Sequence, residues 1–393
     1  MKVGIIGGGV AGLTCGYQLQ KNNIKTIIWE KEPYVGGRNL YNIGAVSKGR
    51  LYKNSHKLIE ELGLESLYTP LPSNNFGLIC WRFMLKAEKT KSTMRFAPKK
   101  IRQFYADLME KLEKMDFDLE NPSAEIKELR NISFAEYIAD FPKMIKLLVV
   151  DPELNFAFEP NYEKIAADYG LHLLKHGVQV VSGQDYVFEE NLLPLTNILE
   201  EKIKMANNII HTSAEILKVE QTENNHFIVN YKINGEEKSE IVDKIVFATP
   251  LHATQKIFPS LKIESDINYN PIRCVFTRGK LKYDRKIMVS VREKDISNIS
   301  MFATTMSHEH IIVAFDLEKE IRFKTLYKKN EYEVISEKII DRAWPVRPPK
   351  ARVPELKTNV PGAYLCGDFY YYTLIETSIA TANMVSKMIQ DEI

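Results

Sequence analysis

The sequence predicts an α/β protein with two domains, the first built on a parallel sheet and the second an α+β unit threaded through it. Three observations lead there. A length of 393 residues is too long for one small module. The first thirty residues read as strand, glycine turn, helix, strand and a closing acid. Residues 212–250 and 359–382 read as further strands and a helix of the same kind, so what lies between them belongs to another unit.

Composition narrows the classes. Hydrophobic residues make up 45% and charged residues 26%, which excludes a collagen-like, wholly disordered or polytopic membrane chain. Lys+Arg 53 against Asp+Glu 51 leaves a net charge of +2, so no global field draws the protein to nucleic acid or anionic lipid. Cys15, Cys80, Cys274 and Cys366 are scattered without a C-x-x-C pair, which suits a reducing compartment. The apolar run after Lys2 breaks into glycines too soon for a signal sequence or a membrane span. A cytoplasmic location is the expectation; peripheral membrane contact and oligomeric state stay open.

Lys2 to Ile6 supplies a short buried strand, followed at once by Gly7-Gly8-Gly9-Val10-Ala11-Gly12. Leu13 to Lys21 has helical spacing, and Thr26-Ile27-Ile28-Trp29 is a second apolar strand ending in Glu30. This is the dinucleotide-binding βαβ pattern, with Gly7, Gly9 and Gly12 in its three glycine positions. Gly7 permits the tight turn, Gly9 lets backbone approach a pyrophosphate, and Gly12 brings helix close to sheet. The amides opening the helix, at Val10 and Ala11, face the phosphates. Glu30 stands 18 residues after Gly12, where it would take the ribose hydroxyls with Lys31 beside it.

The continuation Glu30-Lys31-Glu32-Pro33-Tyr34-Val35-Gly36-Gly37-Arg38 resembles that of FAD-dependent amine oxidases, protoporphyrinogen oxidases and phytoene desaturases. The resemblance implies a Rossmann-like FAD-binding domain with a discontinuous α+β substrate domain, and FAD rather than NAD as cofactor. It places Gly37 and Arg38 along the FAD pyrophosphate. Pro361 to Asp368 resembles the family's late strand, with Cys366 replacing the usual Ala and with Gly367 and Asp368 at the ribityl or pyrophosphate portion. Ile375 to Ala382 resembles the start of its last helix, so Glu376, Thr377 and Ser378 would lie by the flavin, Thr377 replacing a usual Gly. Thr212 to Glu220 and Lys244 to Pro250 resemble the strands of its adenine end, with Ile216 against the adenine. Between them, Asn234-Gly235 suits a hairpin turn.

These blocks assign residues 1–69, 180–250 and 342–393 to the FAD domain, and 70–179 and 251–341 to the substrate domain. The first insertion reads as helical: Lys99 to Met115 carries an apolar stripe read as core, and Ser133-Phe134-Ala135-Glu136 resembles a capping box. The second has strand-like runs at Arg273 to Phe276, Lys286 to Val291 and His310 to Phe315. Arg347, Lys350 and Arg352 suit solvated cations on a surface connection better than an anion site. Phe369-Tyr370-Tyr371-Tyr372 suits a flavin-stacking or cavity-lining role and an apolar plug equally. His308-Glu309-His310 lacks a third metal ligand at a recognised spacing, so no metal is expected.

Alignment with the resembling amine oxidases puts Arg273 where they carry a Lys near the flavin, and Leu374 where they carry a cage aromatic. An Arg stays charged and cannot act as a neutral base, so Arg273 as the catalytic residue points to charge stabilisation. Both departures favour carbon–carbon desaturation of a small organic substrate by hydride transfer to flavin, with oxygen or another electron acceptor reoxidising it. Amine oxidation and a renalase-like oxidation of NAD(P)H are the alternatives. A non-enzymatic binding protein like the GDP-dissociation inhibitors is the alternative of another class.

Overall fold

The computed structural model describes residues 1–38, 52–70, 76–80, 83–86, 95–156, 161–181, 186–188, 193–283, 287–290, 299, 301–304, 309–314 and 316–393. The expected βαβ unit is present as β1 (Lys2–Ile6), α1 (Val10–Gln20) and β2 (Lys25–Trp29). β1 and β2 are buried along nearly their whole length, as strands covered on both faces must be. They sit inside a five-stranded parallel sheet ordered Ala363–Leu365, Lys244–Phe247, β1, β2, Ile209–His211. Strands more than 300 residues apart in sequence thus share one floor. The C-terminal helix Ile375–Gln390 packs on α1, where Ser386 donates to the carbonyl of Cys15 at 3.4 Å.

An antiparallel sheet of Ala214–Gln221, Phe227–Ile233 and Glu236–Val242 flanks this floor. Its hairpin turns at Asn234 and Gly235, both at positive φ, as a two-residue turn of that hand requires.

The second region combines a helical cluster with a seven-stranded mixed sheet. Its strand order is Tyr327–Val346, Asn268–Leu281, Glu309–Ala314, Met301–Thr304, Ile287–Ser290, Phe76–Cys80, Phe83–Lys86. The last two strands come from the first insertion, which sequence periodicity presents as helical. The edge strand Tyr327–Val346 also runs past residue 341, so a segment expected as a loop completes the second sheet. Pro345 fits there because an edge strand has one row of amides unused. The expected stripe forms helix Lys99–Lys114, with Leu108 and Leu112 buried in the helical cluster. The Ser133 side chain accepts from the Glu136 amide at 3.0 Å, as a capping residue should.

Two aromatics of the Phe369–Tyr372 run act as a plug. Tyr372 is buried and stacks on His172 at 4.4 Å and 9°. Tyr371 lies beneath the Arg130 guanidinium at 3.6 Å. Arg347, expected as a surface cation, is 3% exposed and pairs with Asp168, which Arg130 also approaches at 3.4 Å. Arg352 pairs with Asp266 on the surface.

Burial holds the His172 pKa down at about 3, and the nearby His176 and Lys175 charges act in the same direction. The unfolded chain takes up a proton there near pH 6.5 and the folded chain does not, so acidification favours unfolding. This contribution is whole above pH 6.5 and is lost as pH falls from 6.5 toward 3, by at most about 1.4 kcal/mol per pH unit. Urea midpoints of His172→Gln should therefore fall less steeply on acidification than those of the wild type. Parallel curves would show that His172 takes no part in acid unfolding.

Candidate functional site

A cleft of about 1130 Å³ runs from the parallel sheet to the helical cluster. Its floor is the start of α1, with Gly7, Gly9, Val10 and Ala11 exposed to it. Gly12 stands behind that turn, where an added Cβ would lie 1.9 Å from the Gly7 carbonyl oxygen. Glycine at this position is what lets α1 approach the strand. At Gly9 an added Cβ meets no protein atom within 4 Å and would project toward the cleft.

Glu30 and Lys31 line the same end with Ile216. Glu30 is nearly buried, its Oε2 accepting from the Gly8 amide at 2.7 Å and its Oε1 from the Glu32 amide at 2.9 Å. Each carboxylate oxygen can accept again, so a sugar hydroxyl would add to these bonds rather than replace them. The residues fit a dinucleotide. The α1 amides lack a capping side chain, no acid stands in its first turn to repel phosphate, and Glu30 directly follows β2 with acceptor capacity to spare.

Farther along, Gly37 and Arg38 meet the late strand. The Arg38 guanidinium pairs with Asp368 at 2.6 Å and donates to the Ala343 carbonyl at 2.5 Å. Gly367 lies beside Asp368 in the cleft wall, its amide donating to Thr381 at 3.0 Å. Ser378 also lines the cleft.

Three residues sit elsewhere than expected. Glu376 turns away from the cleft and binds the start of helix α2 (Lys53–Leu62). Its carboxylate accepts from the Asn54 amide at 2.7 Å, Asn54 Nδ2 at 2.9 Å, the Ser55 amide at 2.8 Å and Ser55 Oγ at 2.6 Å. The N-cap residue Tyr52 offers no capping side chain, so Glu376 supplies the acceptor from across the molecule. Thr377 is buried, its carbonyl accepting from Thr381 at 2.8 Å.

Arg273 requires a correction, because the structure does not bring it to the cleft. Strand alternation turns it opposite Ile272 and Cys274, whose face carries Ile340 and Trp344. Its guanidinium instead grips Glu337 through Nε at 2.8 Å and Nη2 at 3.0 Å, and donates to the carbonyls of Leu317 and Lys319. That charge is already spoken for.

The cleft is lined further by Tyr52, His176 and Thr373, which the sequence did not single out, and by Trp344 and Leu374. Trp344 Nε1 donates to Tyr169 Oη at 3.1 Å. His172 and His176, four apart on helix Ala167–Val181, were the available signal, since that spacing stacks them on one face. His308 lies outside the described residues, and among those described no group of three His, Cys, Asp or Glu could hold a metal ion. Nor is any described helix long and apolar enough to cross a membrane.

Comparison with known proteins supports the architecture. Residues 5–42 match the family model of the NAD(P)-binding Rossmann-like domain. No curated protein sequence matches the chain. Among solved structures, the chain resembles an oxidoreductase from Methanosarcina mazei at 13% identity and a TM-score of 0.71, over 98% of this chain and 100% of that one. It resembles the cyclohexylamine oxidase of Brevibacterium oxydans IH-35A at 14% identity and 0.67, covering 100% and 99%. A protein of Exiguobacterium sp. 255-15, proposed to be a protoporphyrinogen oxidase, is similar at 14% identity and 0.70, again covering 100% and 99%. The chain therefore has the two-domain fold of these proteins, with a dinucleotide-binding Rossmann-like domain.

The two glycines separate folding from binding. Gly9→Ala should keep stability within about 1 kcal/mol of wild type while weakening dinucleotide binding at least about tenfold. Gly12→Ala should lose about 1–3 kcal/mol of stability through overpacking, with binding lost alongside. Urea denaturation and dinucleotide-binding measurements on both variants check this; a destabilised Gly9→Ala would refute the assignment.

Proposed function

We propose that this protein is an FAD-dependent oxidoreductase that dehydrogenates a small organic substrate. The observation carrying this reading is a continuous cleft from the glycine turn at α1, past the Arg38–Asp368 pair, into a chamber walled by Tyr52, Trp344 and Leu374. Its inner end extends beyond what phosphates and ribose require and offers apolar, aromatic walls. Flavin, when bound, would supply the hydride acceptor. The residues that would hold it are the α1 amides, Glu30 and Ile216 at the nucleotide end, and Gly37, Arg38, Gly367 and Asp368 beyond. The fold shared with the cyclohexylamine oxidase supports an oxidase reading. Leu374 in the chamber wall favours desaturation over amine oxidation. Oxygen or another acceptor would complete the cycle.

Purified protein should be yellow and should release FAD, not FMN, on denaturation. Colourless protein that FAD does not reconstitute would refute the reading and favour a non-enzymatic binding protein. Anaerobic mixing with NADH then separates the enzyme classes: rapid bleaching means oxidation of reduced nicotinamide, and none leaves dehydrogenation of an organic substrate.

The position of Arg273 gives a further expectation. Arg273→Met should leave the rate of flavin reduction within about twofold of wild type while lowering stability, because its fixed partners are Glu337 and two carbonyls. A loss of roughly 10²-fold or more in stopped-flow reduction would restore its catalytic role.

A further inference from the structure

We infer that the outer margin of the second sheet is a contact between two copies of this chain, paired edge to edge and antiparallel about a two-fold axis between Val334 and Ile335. The inference is independent of the flavin reading above.

The strand Tyr327–Val346 is the edge of the seven-stranded sheet and, among the described residues, pairs on one side only, with Asn268–Leu281. Such an edge offers a row of amides and carbonyls to any strand that reaches it. From Glu331 to Glu337 every residue is exposed, so neither face of this stretch is covered. Tyr332, Val334, Ile335 and Ile339 are each between 38% and 47% exposed. Single exposed apolar residues are ordinary, but four large ones within eight residues form a patch.

Strand register gathers that patch on one face. Gly279 stands opposite Tyr332, Thr277 opposite Val334, Val275 opposite Glu337 and Arg273 opposite Ile339. Opposed residues of a ladder share a face, so Tyr332, Val334, Glu337 and Ile339 point the same way. A bulge at Ile335, where Val334 and Ser336 face consecutive residues of the partner strand, carries the stripe from even to odd positions. The one charge in the stripe, Glu337, is neutralised by Arg273 at 2.8 Å. Arg273 thus leaves the stripe without net charge.

The charge pattern selects a second copy as the occupant. In the antiparallel register centred between Val334 and Ile335, Glu331 of each copy meets Lys338 of the other. Tyr332 meets Glu337, Glu333 meets Ser336, Val334 meets Ile335, and farther out Lys328 meets Asp341. None of these pairs opposes like charges, which would be destabilising across strands. Because the bulge lies on the axis, residues on either side of it meet partners on their own face. Self-complementarity of this kind is what a two-fold contact requires. It covers one strand edge and one stripe, which places it among transient interfaces.

Sedimentation equilibrium up to about 100 μM should show a concentration-dependent species of twice the 45.3 kDa chain mass. Val334→Lys sets two like charges at the axis and should raise the dimer dissociation constant at least about tenfold, with an unchanged urea midpoint because the side chain is exposed. Glu331→Lys and Lys338→Glu should each weaken the dimer when alone, since each opposes like charges twice. Mixed in equal amounts they should form a dimer of one of each. Circular dichroism of the separate variants checks their folding; if either fails, Lys328→Asp mixed with Asp341→Lys asks the same question. Wild-type protein that stays monomeric, a dimer that Val334→Lys leaves as tight, or folded charge variants that stay apart when mixed would overturn the inference. So would open-ended assemblies, because a two-fold pairing closes on itself.

Discussion

The close approach of α1 to the parallel sheet is the constraint on which the rest of this molecule is arranged. It is enforced at Gly12, where any side chain would strike the Gly7 carbonyl, and at Gly16, where a Cβ would come within 2.9 Å of Ile28 Cδ1. A helix seated this deeply buries most of its residues, and Leu13, Cys15 and Leu19 are fully excluded from solvent. Its capless N-terminus then opens into the cleft, where amides without intrahelical partners face open space. On its other side it forms the bed for the C-terminal helix. One steric requirement thus sets both the α1 end of the cleft and the position of the helix Ile375–Gln390.

Two carboxylates lock that last segment in place. Asp368 takes the Arg38 guanidinium, and Glu376 takes four donors from Asn54 and Ser55. Hydrogen bonds to a charged partner contribute about 1.5–3 kcal/mol each where well formed, more than neutral ones. Each joins residues more than 300 apart, and so holds the cleft's two walls in register. Glu376 shows how a residue can match a cofactor motif and still act on the protein itself. Its neighbours line the cleft, while its own side chain substitutes for the cap that Tyr52 lacks.

The βαβ unit and its glycine turn were legible in the sequence because their determinants are local. Gly7, Gly9, Gly12 and Glu30 fall in one βαβ unit, where strand period, glycine spacing and the terminal acid are read within thirty residues. The stripe in Lys99–Lys114 and the Asn234-Gly235 turn were legible for the same reason. The far end was not, because it depends on pairing across the chain. Nothing near Arg273 announces that Glu337 will sit beside it, and only strand register makes that contact. Phe76–Cys80 and Phe83–Lys86 likewise become strands by joining a sheet whose other members come some 200 residues later.

Behind the helix Ala167–Val181 lies a buried charge cluster whose value is positional. Asp168 is fully buried between Arg347 and Arg130, and removing ions from water costs several kcal/mol apiece before their attraction is counted. An apolar core of the same volume would serve stability at least as well. What the charges add is direction. Arg347 Nε also donates to the Tyr371 carbonyl at 3.2 Å, and Tyr371 adopts a left-handed backbone with φ of 59° while its ring lies under Arg130. That conformation is unfavourable for a bulky residue and persists where its surroundings over-determine it. Asp168 belongs to the helix that carries His176, and Tyr371 opens the turn that carries Thr373 and Leu374 to the cleft. The cluster therefore sets the helix and the turn in one register, so that the cleft's two inner walls meet at a fixed distance rather than sliding over an apolar contact.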